Sequence, residues 1–145
     1  MIFSYSKLLV VLQFFIIFLL LILNDSIFNY SFSLLISSLG LIFGFYTLYF
    51  NKIGNFNITP DIKKDSLLIR KGAYKYIRHP MYSSVLLMIS GVILTDINII
   101  NSFLFIVLLI VLYLKAKREE RLWNEKDKDY KKYKNKTKMF IPFIF

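Results

Sequence analysis

Four stretches of the chain are apolar and nearly free of charge: Lys7 to Leu23, Tyr30 to Phe50, Met81 to Thr95, and Ile97 to Leu114. A helix rises ~1.5 Å per residue and a bilayer's hydrocarbon core is ~30 Å thick, so about 17–25 residues cross it. The first, second and fourth stretches fit that length, and the third is short. Runs such as "FFIIFLLLIL" do not alternate, which argues against a barrel. Backbone amides in lipid must bond within their own segment, so the runs predict helices. The first run is longer than a signal-peptide core, and "LNDSIFNY" follows it in place of a small-residue cleavage site, so it is expected to be a retained helix. The expected architecture is all-α: one polytopic membrane domain over residues 1–145, with about four transmembrane helices.

Between these runs the polar residues are distributed unevenly. The connections between the first and second runs and between the third and fourth contain no Lys or Arg. The segment 51–80 carries Lys52, Lys63, Lys64, Arg70, Lys71, Lys75 and Arg78. The tail 115–145 holds every other cation except Lys7. All the basic residues then fall on one side of an N-in, C-in arrangement, as cytoplasmic segments require. This distribution changes the meaning of the composition. A net charge of +10 would suggest nucleic acid in a soluble chain; in one that is 57% hydrophobic it reflects topology and attraction to anionic lipid headgroups. No nucleic-acid partner is expected. The tyrosines in "YKKYKNKTK" read as interface anchors.

The chain has no Cys and a single His, His79, which excludes disulfides, a cysteine nucleophile and a multi-histidine metal site; no metal is expected. Polar chemistry must come from the two basic segments. In the first, "KGAYKYIRHPMY", Pro80 suits the first turn of the third helix, because its missing N–H is not needed there. Arg78 and His79 then stand just before a helix N-terminus, where free N–H groups favour anions. In the second, "KAKREERLW", the fourth helix is expected to continue past the membrane. On a helical wheel Glu119 shares a face with Leu112, Leu122 and Trp123, and Glu120 points about a quarter-turn away. Glu119 is therefore expected to matter more than Glu120, with Lys115 four residues earlier as a possible ion-pair partner. A hairpin of the third and fourth helices brings His79 and Glu119 to the same membrane face.

Gly72, Tyr74, Arg78, His79, Pro80 and Tyr82 form "G-x-Y-x-x-x-R-H-P-x-Y", and Glu119-Glu120 follow a membrane hairpin. Tyr130 and Tyr133 as "Y-x-x-Y" and a closing Pro142 complete the pattern. In this order and spacing the segment from Asn51 to Phe145 resembles the isoprenylcysteine carboxyl methyltransferase and phospholipid methyltransferase superfamily. The resemblance implies S-adenosyl-L-methionine as cofactor, bound at the cytoplasmic face under the C-terminal tail, and a lipidic or prenylated substrate entering between helices. It implies cofactor contacts from Gly72, Tyr74, His79, Tyr82, Glu119, Glu120 and Tyr133, with Arg78 and His79 as catalytic residues. One departure is that "NEKDKDY" lacks the family's aromatic-Gly corner between the Glu pair and the tyrosines. The leading expectation is carboxyl O-methylation of an isoprenylcysteine-type acceptor, with Arg78 orienting the carboxylate. Lipid-amine N-methylation, with His79 or a glutamate taking the proton, is the alternative. Two other readings stay open: a sterol-reductase-like NADPH enzyme, and a non-enzymatic membrane partner.

Overall fold

In the computed structural model, residues 4–24, 30–52 and 54–144 are described. Most of the connection between the first two helices, residues 25–29, lies outside them. Helix α1 runs Tyr5–Leu23, α2 Ser31–Asn51, α3 Pro80–Ile93, α4 Ile99–Lys126 and α5 Tyr130–Lys136, with a 3-10 turn at Gly72–Lys75. No strand forms among the described residues, and one isolated parallel bridge joins Ile77 to Lys138. The architecture is all-α.

Helices α1, α2 and α4 are long and apolar enough to cross a membrane, whereas α3 has 14 residues. The loop between α3 and α4 is longer than the single Asp96 expected. It spans 94–98, because the Asn98 side chain caps α4 by accepting from the Asn101 N–H at 2.9 Å. The expected extension of the fourth helix is present: α4 continues without a break for 28 residues.

Two kinds of packing hold the bundle. Leu9, Ile16 and Leu20 of α1 meet Leu108, Val111 and Leu112 of α4, with Ile89 and Val92 of α3, in one apolar core. The contact between α2 and α3 is built instead from small residues. Ser33, Ser37, Gly40 and Thr47 are buried along α2, and a Cβ placed on Gly91 of α3 would lie 2.6 Å from the Ser37 nitrogen. Small side chains let membrane helices approach closely where apolar burial gives no preference over lipid. Outside, Phe14, Phe15, Phe18, Ile42, Phe45, Phe103 and Ile106 are all more than half exposed. Such a surface is stable only in an apolar solvent.

A candidate active site at one end of the bundle

Pro80 opens α3, so His79 is its N-cap residue, and the chain before it leaves the 3-10 turn at Tyr76 and passes through the bridge residue Ile77 to Arg78. The tail pairs with this segment. Lys138 N–H donates to the Tyr76 carbonyl (3.0 Å), Arg78 N–H to the Lys138 carbonyl (2.8 Å), and His79 N–H to the Met139 carbonyl (3.1 Å). Because α4 outruns α3, its residues 119 and 120 stand level with this junction. His79 and Glu119 therefore meet, as the hairpin argument expects.

Around His79 the ionic contacts are dense. Its Nδ1 lies 3.5 Å from Glu119 Oε2 and its Nε2 3.5 Å from Glu120 Oε1, while the ring stacks on Tyr82 with centroids 5.5 Å apart. Burial pushes the imidazole towards its neutral form, but hydrogen bonds and charge from Glu119 and Glu120 outweigh this and raise its pKa above the ordinary 6.5. Tyr82 donates its hydroxyl to Glu119 Oε1. Tyr74 sits nearby, its hydroxyl held in the neutral form by burial and then by the Glu119 charge.

The two glutamates differ in a way the helical wheel reverses. Glu120 is the buried one, bound to Arg78 Nε at 2.6 Å and to Lys134 Nζ at 2.7 Å. The wheel treats α4 alone, but the tail packs Met139 and Phe140 over Ala116, and α5 covers the next turn on the same side. Glu119 remains partly open to the cleft. Lys115 does not pair directly with it. That ammonium is buried, donates to Gln13 Oε1 of α1 (2.6 Å) and to the Ile58 carbonyl (3.0 Å), and lies over the Tyr82 ring.

Arg78 is engaged with the tail. Besides Glu120, it donates through Nη1 to the Lys134 carbonyl at 3.1 Å and to the Thr137 carbonyl. Tyr133 donates its hydroxyl to the Tyr74 carbonyl at 2.7 Å, tying α5 to the segment before α3. Where the aromatic-Gly corner is missing, the Asp127 carboxylate takes the Asp129 N–H at 2.8 Å and turns the chain. Gly72 lies away from the cleft. Its φ of +58° suits glycine, and Phe50 packs where a Cβ would point.

Above His79 opens a cleft whose empty volume, counted to its mouth, is about 780 Å³. Tyr74, Arg78, His79, Tyr82, Glu119, Trp123, Tyr130 and Tyr133 line one side. The connector supplies the other, with Asn55, Phe56, Asn57, Asp61, Ile62 and Leu67–Ile69. Cations from α4 hold this roof down. Lys126 donates to the carbonyls of Lys63, Lys64 and Ser66, each at 2.9 Å, and Arg118 bonds Asp61 at 3.0 Å, which also accepts from Ser6 of α1.

Sequence reasoning missed Lys134, Lys115 with Gln13, and the whole roof. A stripe at Tyr130, Tyr133, Lys134 and Thr137 marks the inner face of α5, and Gln13 inside an apolar run was a signal in itself. The roof has no periodicity to read.

The phospholipid methyltransferase family model matches residues 28–127. The chain belongs to the phospholipid methyltransferase family. The match includes all of α2, α3 and α4, and with them Tyr74, Arg78, His79, Tyr82 and both glutamates. No curated protein and no solved structure gave a match. The long apolar helices and this membership make it an integral membrane methyltransferase.

Proposed function

We propose that the chain transfers a methyl group from S-adenosyl-L-methionine to the amine of a membrane phospholipid, working as one unit with this end of the bundle at the cytoplasmic face. The observation that carries the choice of acceptor is the division of charge in the site. Arg78 lines the cleft, but its Nε and Nη1 are spent on Glu120 and tail carbonyls, so the cation expected to orient a carboxylate acceptor is already partnered. The carboxylate of Glu119 faces the cleft. A site of that sign suits a sulfonium and an ammonium better than a carboxylate.

The cofactor fits the cleft on chemical grounds. Tyr74 lends an aromatic ring to a cationic ligand, Glu119 opposite charge, and Asn57 an amide. When bound, S-adenosyl-L-methionine supplies an activated methyl: the acceptor's lone pair forms the new bond to carbon as the carbon–sulfur bond breaks and its electrons return to sulfur. The protein must hold the acceptor in line, keep water out and remove one proton, because an amine arrives as ammonium. Glu119 is placed to take that proton. His79, its two ring nitrogens already facing Glu119 and Glu120, instead orients Glu119 together with Tyr82.

Membranes containing the protein, given labelled methyl donor with phosphatidylethanolamine and a prenylcysteine analogue, test this directly. Label is expected in base-stable N-methylated phospholipid, and Glu119→Gln should lower its rate by about 10²-fold or more. Label released by base from the prenylcysteine analogue, with none in phospholipid, would restore the carboxylate reading.

A further inference from the structure

A second hollow of about 480 Å³ lies outside the cleft, lined by Phe43, Tyr46, Gly72, Tyr76, Ile77 and Pro142. Phe43 and Tyr46 belong to the second half of α2, both within about 12 Å of its end at Asn51, so the hollow lies near the end of the membrane helix. Its rim is apolar and open: Tyr46 is 47% exposed, Tyr76 51% and Phe143 82%, the last packed against Tyr76 at 6.2 Å. Three exposed lysines adjoin it. Lys71 precedes Gly72, Lys75 precedes Tyr76, and Lys138 is bridged to Ile77. None of the three makes an ion pair among the described residues, while Glu119, Glu120, Asp61, Asp127 and Asp129 are all engaged by other cations or by His79.

We propose that this hollow is a seat for one anionic phospholipid, with an acyl chain against the rings of Tyr46, Tyr76 and Phe143 and the phosphate under Lys71, Lys75 and Lys138. Charge complementarity selects the occupant. Lysines outside any ion pair, each adjoining a residue of an apolar wall, favour a lipid of net negative charge over a zwitterionic one, whose terminal cation they repel. Gly72 lets Phe50 pack behind the wall, since the Phe50 ring fills the position of its missing side chain. Because Lys138 exchanges backbone hydrogen bonds with Tyr76 and Arg78, a lipid seated there bridges the tail to the segment carrying His79. The seat is separate from the methyl-transfer cleft, and its test involves no cofactor.

The purified full chain, given phosphatidylglycerol or phosphatidylcholine of matched chains, is examined by native mass spectrometry for retained lipid. Wild-type protein should keep one phosphatidylglycerol in preference to phosphatidylcholine. Lys71→Gln/Lys75→Gln/Lys138→Gln should retain it on the order of 10²-fold less well. Lys131→Gln/Lys132→Gln/Lys136→Gln, which removes equal charge from exposed α5, should behave as wild type, and soluble glycerol phosphate should not displace the lipid. Equal retention of the two lipids, equal loss in both triple variants, or displacement by glycerol phosphate would each overturn the seat. Matched thermal unfolding confirms that every variant is folded, and Lys138→Gln alone, with a smaller loss expected, serves if the triple variant is not.

Discussion

With 2% of its side chain exposed, Glu120 receives Arg78 and Lys134 and stands 3.5 Å from His79, so it joins α3, α4 and α5. Removing one member of a buried ion pair leaves the other charge desolvated and typically costs about 3–5 kcal/mol. Glu120→Ala is therefore expected to lower thermal stability in detergent strongly. Glu119→Gln, at a partly open position, should leave stability nearly unchanged and reduce methyl transfer. A melting curve for each variant checks the division. His79 adds a dependence on pH. Its folded pKa is raised above the unfolded value near 6.5, so its stabilisation is fully present below about pH 6.5 and is lost as pH rises through the higher folded value. Unfolding temperature should fall as pH rises above about 6.5, and the slope should flatten in His79→Gln. A slope unchanged by that substitution would mean another group sets it.

Among the elements, α2 and α3 depend on close approach. A Cβ on Gly91 would meet the Ser37 nitrogen at 2.6 Å, and one on Gly40 would lie 2.7 Å from the Met88 Cα. Backbone atoms cannot yield as a flexible side chain can, so Gly91→Leu should separate the pair and cost at least the ~1–3 kcal/mol of an overpacked core. Gly54→Ala, with nothing within 4 Å of the added carbon, is the matched control and should melt as wild type. Helix α4 shows what a long element contributes. Its apolar first half packs the core, and its charged second half carries both glutamates as well as Arg118 and Lys126, which hold the roof. Helix α5 is only seven residues, too short to be stable alone, and is kept by the bonds Arg78 and Tyr133 make to it and to its neighbour.

At the scale of the molecule, the membrane helices could be read directly from the chain because lipid leaves the backbone no alternative to internal hydrogen bonds, and hydropathy reports that constraint. The meeting of His79 with Glu119 was also legible, since a hairpin's open ends must share a face. What escaped were features created by a third element. The wheel put Glu119 on the covered face and the structure puts Glu120 there, because the tail buries the Ala116–Glu120 side of α4 and nothing within α4 records the tail's position. Arg78 read as a free cation for the same reason: its acceptors are carbonyls of Lys134 and Thr137, which carry no side-chain signature. The connector from Gly54 to Ile69 folds as a roof through its own amides and carbonyls, as where Asn55 pairs with the backbone of Leu67.

The shortness of α3 has a consequence for how a bilayer fits this protein. Fourteen residues rise about 21 Å, roughly 9 Å less than the hydrocarbon thickness its neighbours are long enough to cross. If the far end of α3 is level with theirs, its beginning, where His79 lies, is recessed below the plane at which α2 and α4 emerge. A phospholipid beside that dip would reach the chemistry by drifting sideways within its own leaflet, with its glycerol at ordinary depth and its tails still among their neighbours.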